Sequence, residues 1–287
     1  MKRFEVGSFD DESQTGKVGT DEPPRRRGAR AVEMVPTIVT LGNLFSGFLA
    51  IAYLTDAMHS PDAASRIQLY EKAVWLIFLA MFFDAVDGWV ARRMGSSSDF
   101  GAQVDSICDA ISFGAAPALL FKVMCQESET GAGDGIGQKF ALVLAVGFLA
   151  CAVLRLARFN LETDVEGDSH QAFEGLPTPA AAAVVASLAY ANISLDPAGG
   201  RAWIHTVLPY LMPVLAFLMV SRLPYVHAAS WVLKRKTFPS LVLLLFLVGI
   251  VVLQPEVMVP VLCLGFMAWG PLLWVLRCFQ GRDDPIV

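Results

Sequence analysis

Charge is scarce in this chain. Only 17% of its residues are Asp, Glu, Lys or Arg, against roughly a quarter in soluble domains, so a water-facing surface of ordinary composition is excluded. The five cysteines, Cys108, Cys125, Cys151, Cys263 and Cys278, are scattered and form no CxxC pair, which points to neither zinc nor disulfides. The four histidines stand alone: His59, His170, His205 and His227 flank apolar runs or sit in connecting segments, where surface residues are commoner than ligands. There is no basic face interleaved with aromatics, so no nucleic-acid partner is expected. Internal repeats are absent. The first 30 or so residues lack an apolar stretch, and no cleavable signal peptide is read there.

Apolar residues supply what charge does not. They make up 55% of the chain, and the mean hydropathy is +0.52, as in an integral membrane protein. Runs of about 20 apolar residues can cross a bilayer as helices. Such runs lie near Pro36 to Leu54, Ala73 to Val90, Gly101 to Met124, Phe140 to Ala157, Thr178 to Ile193, Ile204 to Val220, Phe238 to Leu253 and Val257 to Leu276. The expected fold is therefore an all-α polytopic membrane helix bundle of about eight transmembrane helices. With the N-terminus cytoplasmic, only Arg66, Lys72, Lys122, Lys139 and Arg201 of the 22 basic residues fall on the far side, as the positive-inside rule requires. Three regions follow: a polar N-terminal segment 1–33, a core 34–198, and additional helices with a short tail, 199–287. The basic run Arg25 to Arg27 reads as a topology anchor. Gln126 to Gln138, rich in Gly and acid, reads as an exposed connector.

Against this background one stretch is anomalous. From Asp84 to Asp109 the chain reads DAVDGWVARRMGSSSDFGAQVDSICD, setting aspartates into apolar helices where each mid-membrane charge costs roughly 2.5–3.5 kcal/mol on insertion scales. At about 100° per residue, Asp84, Asp87, Gly88 and Ala91 share a face of the second helix. Gly101, Asp105, Asp109 and Ser112 share a stripe on the third. The segment Arg93 to Phe100 suits a tight turn, with Asp99 placed to cap the next helix. Four carboxylates converging from two helices suit two hard cations, Mg²⁺ or Mn²⁺, and such a pair would bind a diphosphate. Gly88, Ala91 and Gly101 leave room for a bulky ligand against the backbone; close helix packing explains the same small residues equally well.

These residues spell DxxDGxxAR, eight residues, then GxxxDxxxD, with Asp84, Asp87, Gly88, Ala91, Arg92, Gly101, Asp105 and Asp109 at every fixed position. The chain thereby resembles the CDP-alcohol phosphotransferase family. The resemblance implies a two-metal membrane enzyme, a homodimer, that displaces CMP from a CDP-linked substrate with an alcohol. Carried over by position, Asp84, Asp87, Asp105 and Asp109 would hold the metals, Asp109 would also act as base, and Gly88, Arg92 and Ser98 would contact the CDP moiety.

Three further blocks bear on the acceptor. The first helix carries Pro36, Thr37, Thr40, Asn43 and Gly47, polar or small residues in a lipid-suited segment. Its Thr and Asn side chains either bond to helix carbonyls or contact the nucleotide. RLARFN, Arg155 to Asn160, ends the fourth helix with two arginines, which serve as topology anchors or bind a carboxylate or phosphate. FEGLPTPAAA, Phe173 to Ala182, opens the fifth, where Pro177 and Pro179 suit a first turn. Together the blocks resemble the membrane-embedded phosphatidylserine synthase branch of the family, from Pro36 to about Ala183. That resemblance implies CDP-diacylglycerol and L-serine as substrates, with Arg155, Arg158 and Asn160 as candidates for a serine or phosphate pocket. It also implies a bacterial inner-membrane setting with the site toward the cytoplasm.

Other acceptors, such as glycerol phosphate, inositol phosphate or choline, would use the same metal motif. Membrane prenyltransferases also bind Mg²⁺ diphosphates on aspartate-rich helices, but with two separate acidic motifs where this chain has one. A carboxylate-coupled transporter would not account for the DG, AR and glycine spacing. The segment after Ala198 offers no catalytic set, and its Pro209, Pro213, Pro224 and Pro260 are expected to shape helix ends or kinks.

Overall fold

A computed structural model describes residues 27–94, 99–127, 135–165, 173–195, 203–225 and 251–280. The fold is an all-α bundle. Among the described residues, the helices given in full are α1 (Arg27–His59), α2 (Ala63–Met94), α3 (Asp99–Asp109), α4 (Ala116–Glu127), α5 (Gly135–Val165), α6 (Thr178–Leu195), α7 (Trp203–Val220) and α8 (Pro255–Gln280). Six stretches among the described residues are long and apolar enough to cross a membrane: Ile38–His59, Ala63–Val90, Phe100–Cys125, Gly137–Leu161, Thr178–Leu195 and Pro255–Leu276, with the shorter apolar Thr206–Val220 beside them. They correspond to seven of the eight expected helices. Of the other, Phe238 to Leu253, all but the last three residues lie outside the described residues.

Local chemistry sets the helix ends. Asp62 caps α2: one carboxylate oxygen accepts from the Ser65 N–H at 2.9 Å and the Ser65 hydroxyl at 2.8 Å, while its carbonyl takes the first intrahelical bond, from Arg66 N–H. Between α3 and α4 the third span is not a plain α-helix. Ala110–Ala115 forms a π turn in which the Ala116 N–H reaches Ile111 O, five residues back. Pro117 has no N–H to give the carbonyl four residues before it, so the wider turn falls where regular bonding is already broken. Helix periodicity alone predicted one uninterrupted helix there. The connector is also shorter than Gln126 to Gln138, because α4 runs to Glu127 and α5 begins at Gly135.

The alanine-rich α6 lies at the centre. Ala181, Ala182, Val184, Val185, Ala186, Leu188 and Ala189 are all buried, and α6 packs on α2, α4, α7 and α8. Its small side chains let neighbouring backbones approach, which is how helices gain contact where lipid supplies no hydrophobic drive. Large apolar residues such as Phe45, Phe48, Phe82, Tyr210 and Phe217 face outward. Two short strands were not anticipated: β1 (Phe173–Glu174) pairs antiparallel with β2 (Pro224–Tyr225), Phe173 opposite Tyr225. They are two residues each, below the length at which alternation can be read from sequence. Pro224 therefore stands in β2, whereas Pro209, Pro213 and Pro260 lie inside helices.

Candidate active site

The C-terminal part of α2, the C-terminal half of α3, the C-terminal end of α5 and the start of α6 meet in one region of the bundle. Carboxylate oxygens of Asp84 on α2 and of Asp105 and Asp109 on α3 all lie within 4.8 Å of one another. Asp87, one turn further along α2, is buried and close enough for its charge to act on Asp105 and Asp109. It accepts from the Thr40 hydroxyl, yet its Oδ2 is buried without a hydrogen-bond partner, as is Asp105 Oδ1. Four like charges with two unsatisfied buried oxygens are expensive in an apolar bundle. The donor set is all oxygen and all anionic, which fits hard divalent cations.

Helix α1 frames this cluster. Asn43, fully buried, donates from Nδ2 to Asp109 Oδ1 at 2.9 Å, and its own Oδ1 has no partner. The Ser112 hydroxyl, in the π turn, donates to Asn43 O at 3.0 Å. Gly47 permits that approach: a Cβ there would stand 2.7 Å from Ser112 Cα. Ser112 thus meets α1 at Asn43, the residue that also bonds Asp109. Of the expected α1 set, Thr40 and Asn43 bond to Asp87 and Asp109. Only helical backbone is described at Thr37, Ala91 and Arg92, and Ser98 lies outside the described residues. Gly101 is on α3, half-buried, a turn before Asp105.

The arginine block divides. Arg155 Nη1 donates to Thr178 Oγ1 at 2.9 Å at the start of α6, its Nε is buried without a partner, and Asp109 acts on its charge. Asn160 instead exchanges bonds with Ser106 on α3, donating to Oγ at 2.9 Å and accepting from it at 3.2 Å. Ser106 sits between the two α3 aspartates, so Asn160 ties α5 to the helix that carries them. Arg158 is half-buried and engaged in an interaction of its own. Sequence reasoning missed Ser106, Ser112 and Thr178 as partners. Ser112 and Thr178 are each a lone hydroxyl among apolar neighbours, and that oddity was the available signal; Ser106 adjoins Asp105.

The family model for CDP-alcohol phosphatidyltransferase matches residues 33–208, well over half the chain. The chain belongs to that family. Members similar to it include the CDP-diacylglycerol–serine O-phosphatidyltransferase of Mycobacterium bovis, 30% identical over 276 residues, 92% of this chain and 87% of that one. The protein of the same name from Methanocaldococcus jannaschii is 36% identical over 153 residues, 53% of this chain and 59% of that one. The Bacillus subtilis protein of that name is 29% identical over 198 residues, 67% and 90% respectively. For a member of this family, the acid cluster of Asp84, Asp105 and Asp109 is the candidate divalent-metal centre.

Proposed function

We propose that this CDP-alcohol phosphatidyltransferase is a phosphatidylserine synthase, transferring the phosphatidyl group of CDP-diacylglycerol to the hydroxyl of L-serine with release of CMP. The observation that carries the acceptor is the shared name of its bacterial and archaeal relatives, one of them matched over 92% of this chain. Arg155 supports it: the side chain is half-buried beside the acid cluster, its Nε is buried without a partner, and a guanidinium suits the serine carboxylate.

In the proposed reaction the serine oxygen bonds to the phosphorus nearer diacylglycerol, and the bond from that phosphorus to the oxygen bridging to CMP breaks. The hydroxyl proton passes to Asp109, and CMP leaves with the electron pair of the broken bond. Asn43, donating to Asp109 Oδ1, orients the carboxylate so that one oxygen stays available to take the proton. Asp84, Asp87, Asp105 and Asp109 would hold two divalent cations, Mg²⁺ or Mn²⁺, which when bound neutralise the diphosphate and the charge developing on departing CMP. Gly88, Ala91, Arg92, Ser98 and Gly101 are assigned to the CDP moiety. Arg155 receives the acceptor, with Arg158 flanking it and Asn160 holding α3 in place.

Region 34–198 is the catalytic core, preceded by the polar segment 1–33 and followed by the helices of 199–287; the family match over 33–208 supports that division. The protein is a homodimer of the bacterial inner membrane, with the N-terminus and the site toward the cytoplasm. The asymmetry of Lys and Arg supports that orientation.

The test is metal-dependent CMP release from CDP-diacylglycerol by the purified protein, with L-serine, glycerol 3-phosphate, inositol phosphate or choline as acceptor. Serine-specific release is expected. Release with another acceptor would keep the family and overturn the substrate.

A further inference from the structure

The C-terminal helices carry no catalytic set, yet they are bonded to the block that faces the acid cluster. Beyond the β1–β2 pair, the Gly175 N–H donates to Leu223 O at 2.9 Å and the Leu176 N–H to Leu218 O at 3.0 Å. Gly175 has φ +82°, and a Cβ there would lie 2.7 Å from the carbonyl oxygens of Met219 and Ser221. Only glycine takes that conformation so close to the α7 carbonyls. Three residues on, Thr178 receives the Arg155 bond.

The other side of the junction is held by Tyr225 of β2. Its ring is buried, lies 5.8 Å from that of Phe266, and donates its hydroxyl to Met267 O on α8 at 2.9 Å. Two features of α8 make that bond possible. Gly270 clears the ring, since a Cβ there would fall 2.6 Å from Tyr225 Cε2. Pro271, inside α8, has no N–H for the carbonyl four residues before it, which is that of Met267. The tyrosine hydroxyl supplies the donor that proline withholds.

We propose that Tyr225 and Gly175 are positioning residues: through this latch α8 fixes where Thr178 meets Arg155, and thereby sets affinity for the acceptor alcohol. The inference rests on the reading of Arg155 as the acceptor's contact. A latch that acts two bonds from the site changes placement and leaves the metal-centred chemistry intact, so its signature is a selective one.

The experiment uses full-length protein in nanodiscs and the variant Tyr225→Phe, which keeps the ring and removes the hydroxyl. The KM for serine should rise roughly three- to tenfold, with kcat and the KM for CDP-diacylglycerol within about twofold. Hydrogen exchange at Gly175 and Leu176 should quicken. In a Thr178→Ala background, Tyr225→Phe should add nothing to the serine KM. Unchanged exchange at 175 and 176, faster exchange with an unmoved acceptor KM, or additive effects in the Thr178→Ala background would each overturn the latch. If the wild type instead uses another acceptor, the serine reading fails while the exchange data and that acceptor's KM still decide the latch.

Discussion

Asp62 and Asp105 are the same residue type on adjoining elements of one bundle, and their surroundings are opposite. Asp62, fully exposed at the start of α2, has the Ser65 amide and hydroxyl on one oxygen and water for the rest. Asp105 has a buried oxygen with no partner, and its neighbours Asp84 and Asp109 are also acids. The first carboxylate completes a helix end. The second has a buried oxygen that no described group of the chain satisfies, as the proposed reading expects of a group held for binding. The comparison separates structural from functional acids by what each oxygen touches, a distinction that residue type cannot make.

The sharpest break in that comparison comes at Asp109. Asp109→Asn should lower the rate of CMP release by about 10²- to 10⁴-fold, the range for losing a positioned general base, with helix content by circular dichroism unchanged. Chelation should abolish wild-type release, and Mg²⁺ or Mn²⁺ should restore it. Melting curves test the same acids without turnover: in metal-free buffer Asp84→Asn or Asp105→Asn should stabilise the protein by about 0.5–2 kcal/mol by relieving repulsion, and should remove the stabilisation that added metal gives the wild type. A lower melting temperature for both would mean that these acids serve the fold.

Gly47→Ala is next in size. It forces α1 off the π turn at Ser112 and should cost about 1–3 kcal/mol, read as a lower melting temperature with reduced activity. Arg155→Gln should raise the serine KM more than the CDP-diacylglycerol KM; equal values for variant and wild type would move the pocket elsewhere. The smallest effect belongs to Asp62. The Ser65 bonds hold its carboxyl below the ordinary 3.8, so the cap's contribution is complete above that value and is lost as pH falls through the folded-state value. Asp62→Asn should flatten this part of the stability profile in acid and leave CMP release unchanged.

Much of the site was legible because its chemistry conflicts with its surroundings. Aspartates at helical spacing in apolar runs have few explanations, and DxxDGxxAR with GxxxDxxxD narrowed them further. The partners were less legible. Asn43 was read as backbone-bonded or nucleotide-facing, and only the packing of α1 on α3 brings it to Asp109. Arg155 and Asn160 were grouped as one block; five residues apart on α5, they point to different neighbours, Thr178 and Ser106. The π turn escaped detection because hydrophobic periodicity does not distinguish four-residue from five-residue bonding over six residues.

Sequence alone determined the membrane setting, the apolar spans and the aspartate motif, because length, hydropathy and i, i+4 spacing are properties of a local segment. Which aspartate oxygens stand unsatisfied, which hydroxyl meets Arg155, and how Tyr225 reaches the carbonyl freed by Pro271 were decided by the tertiary structure. Those are contacts between residues as much as 42 positions apart, and a local pattern carries no record of which distant backbone will lie beside it.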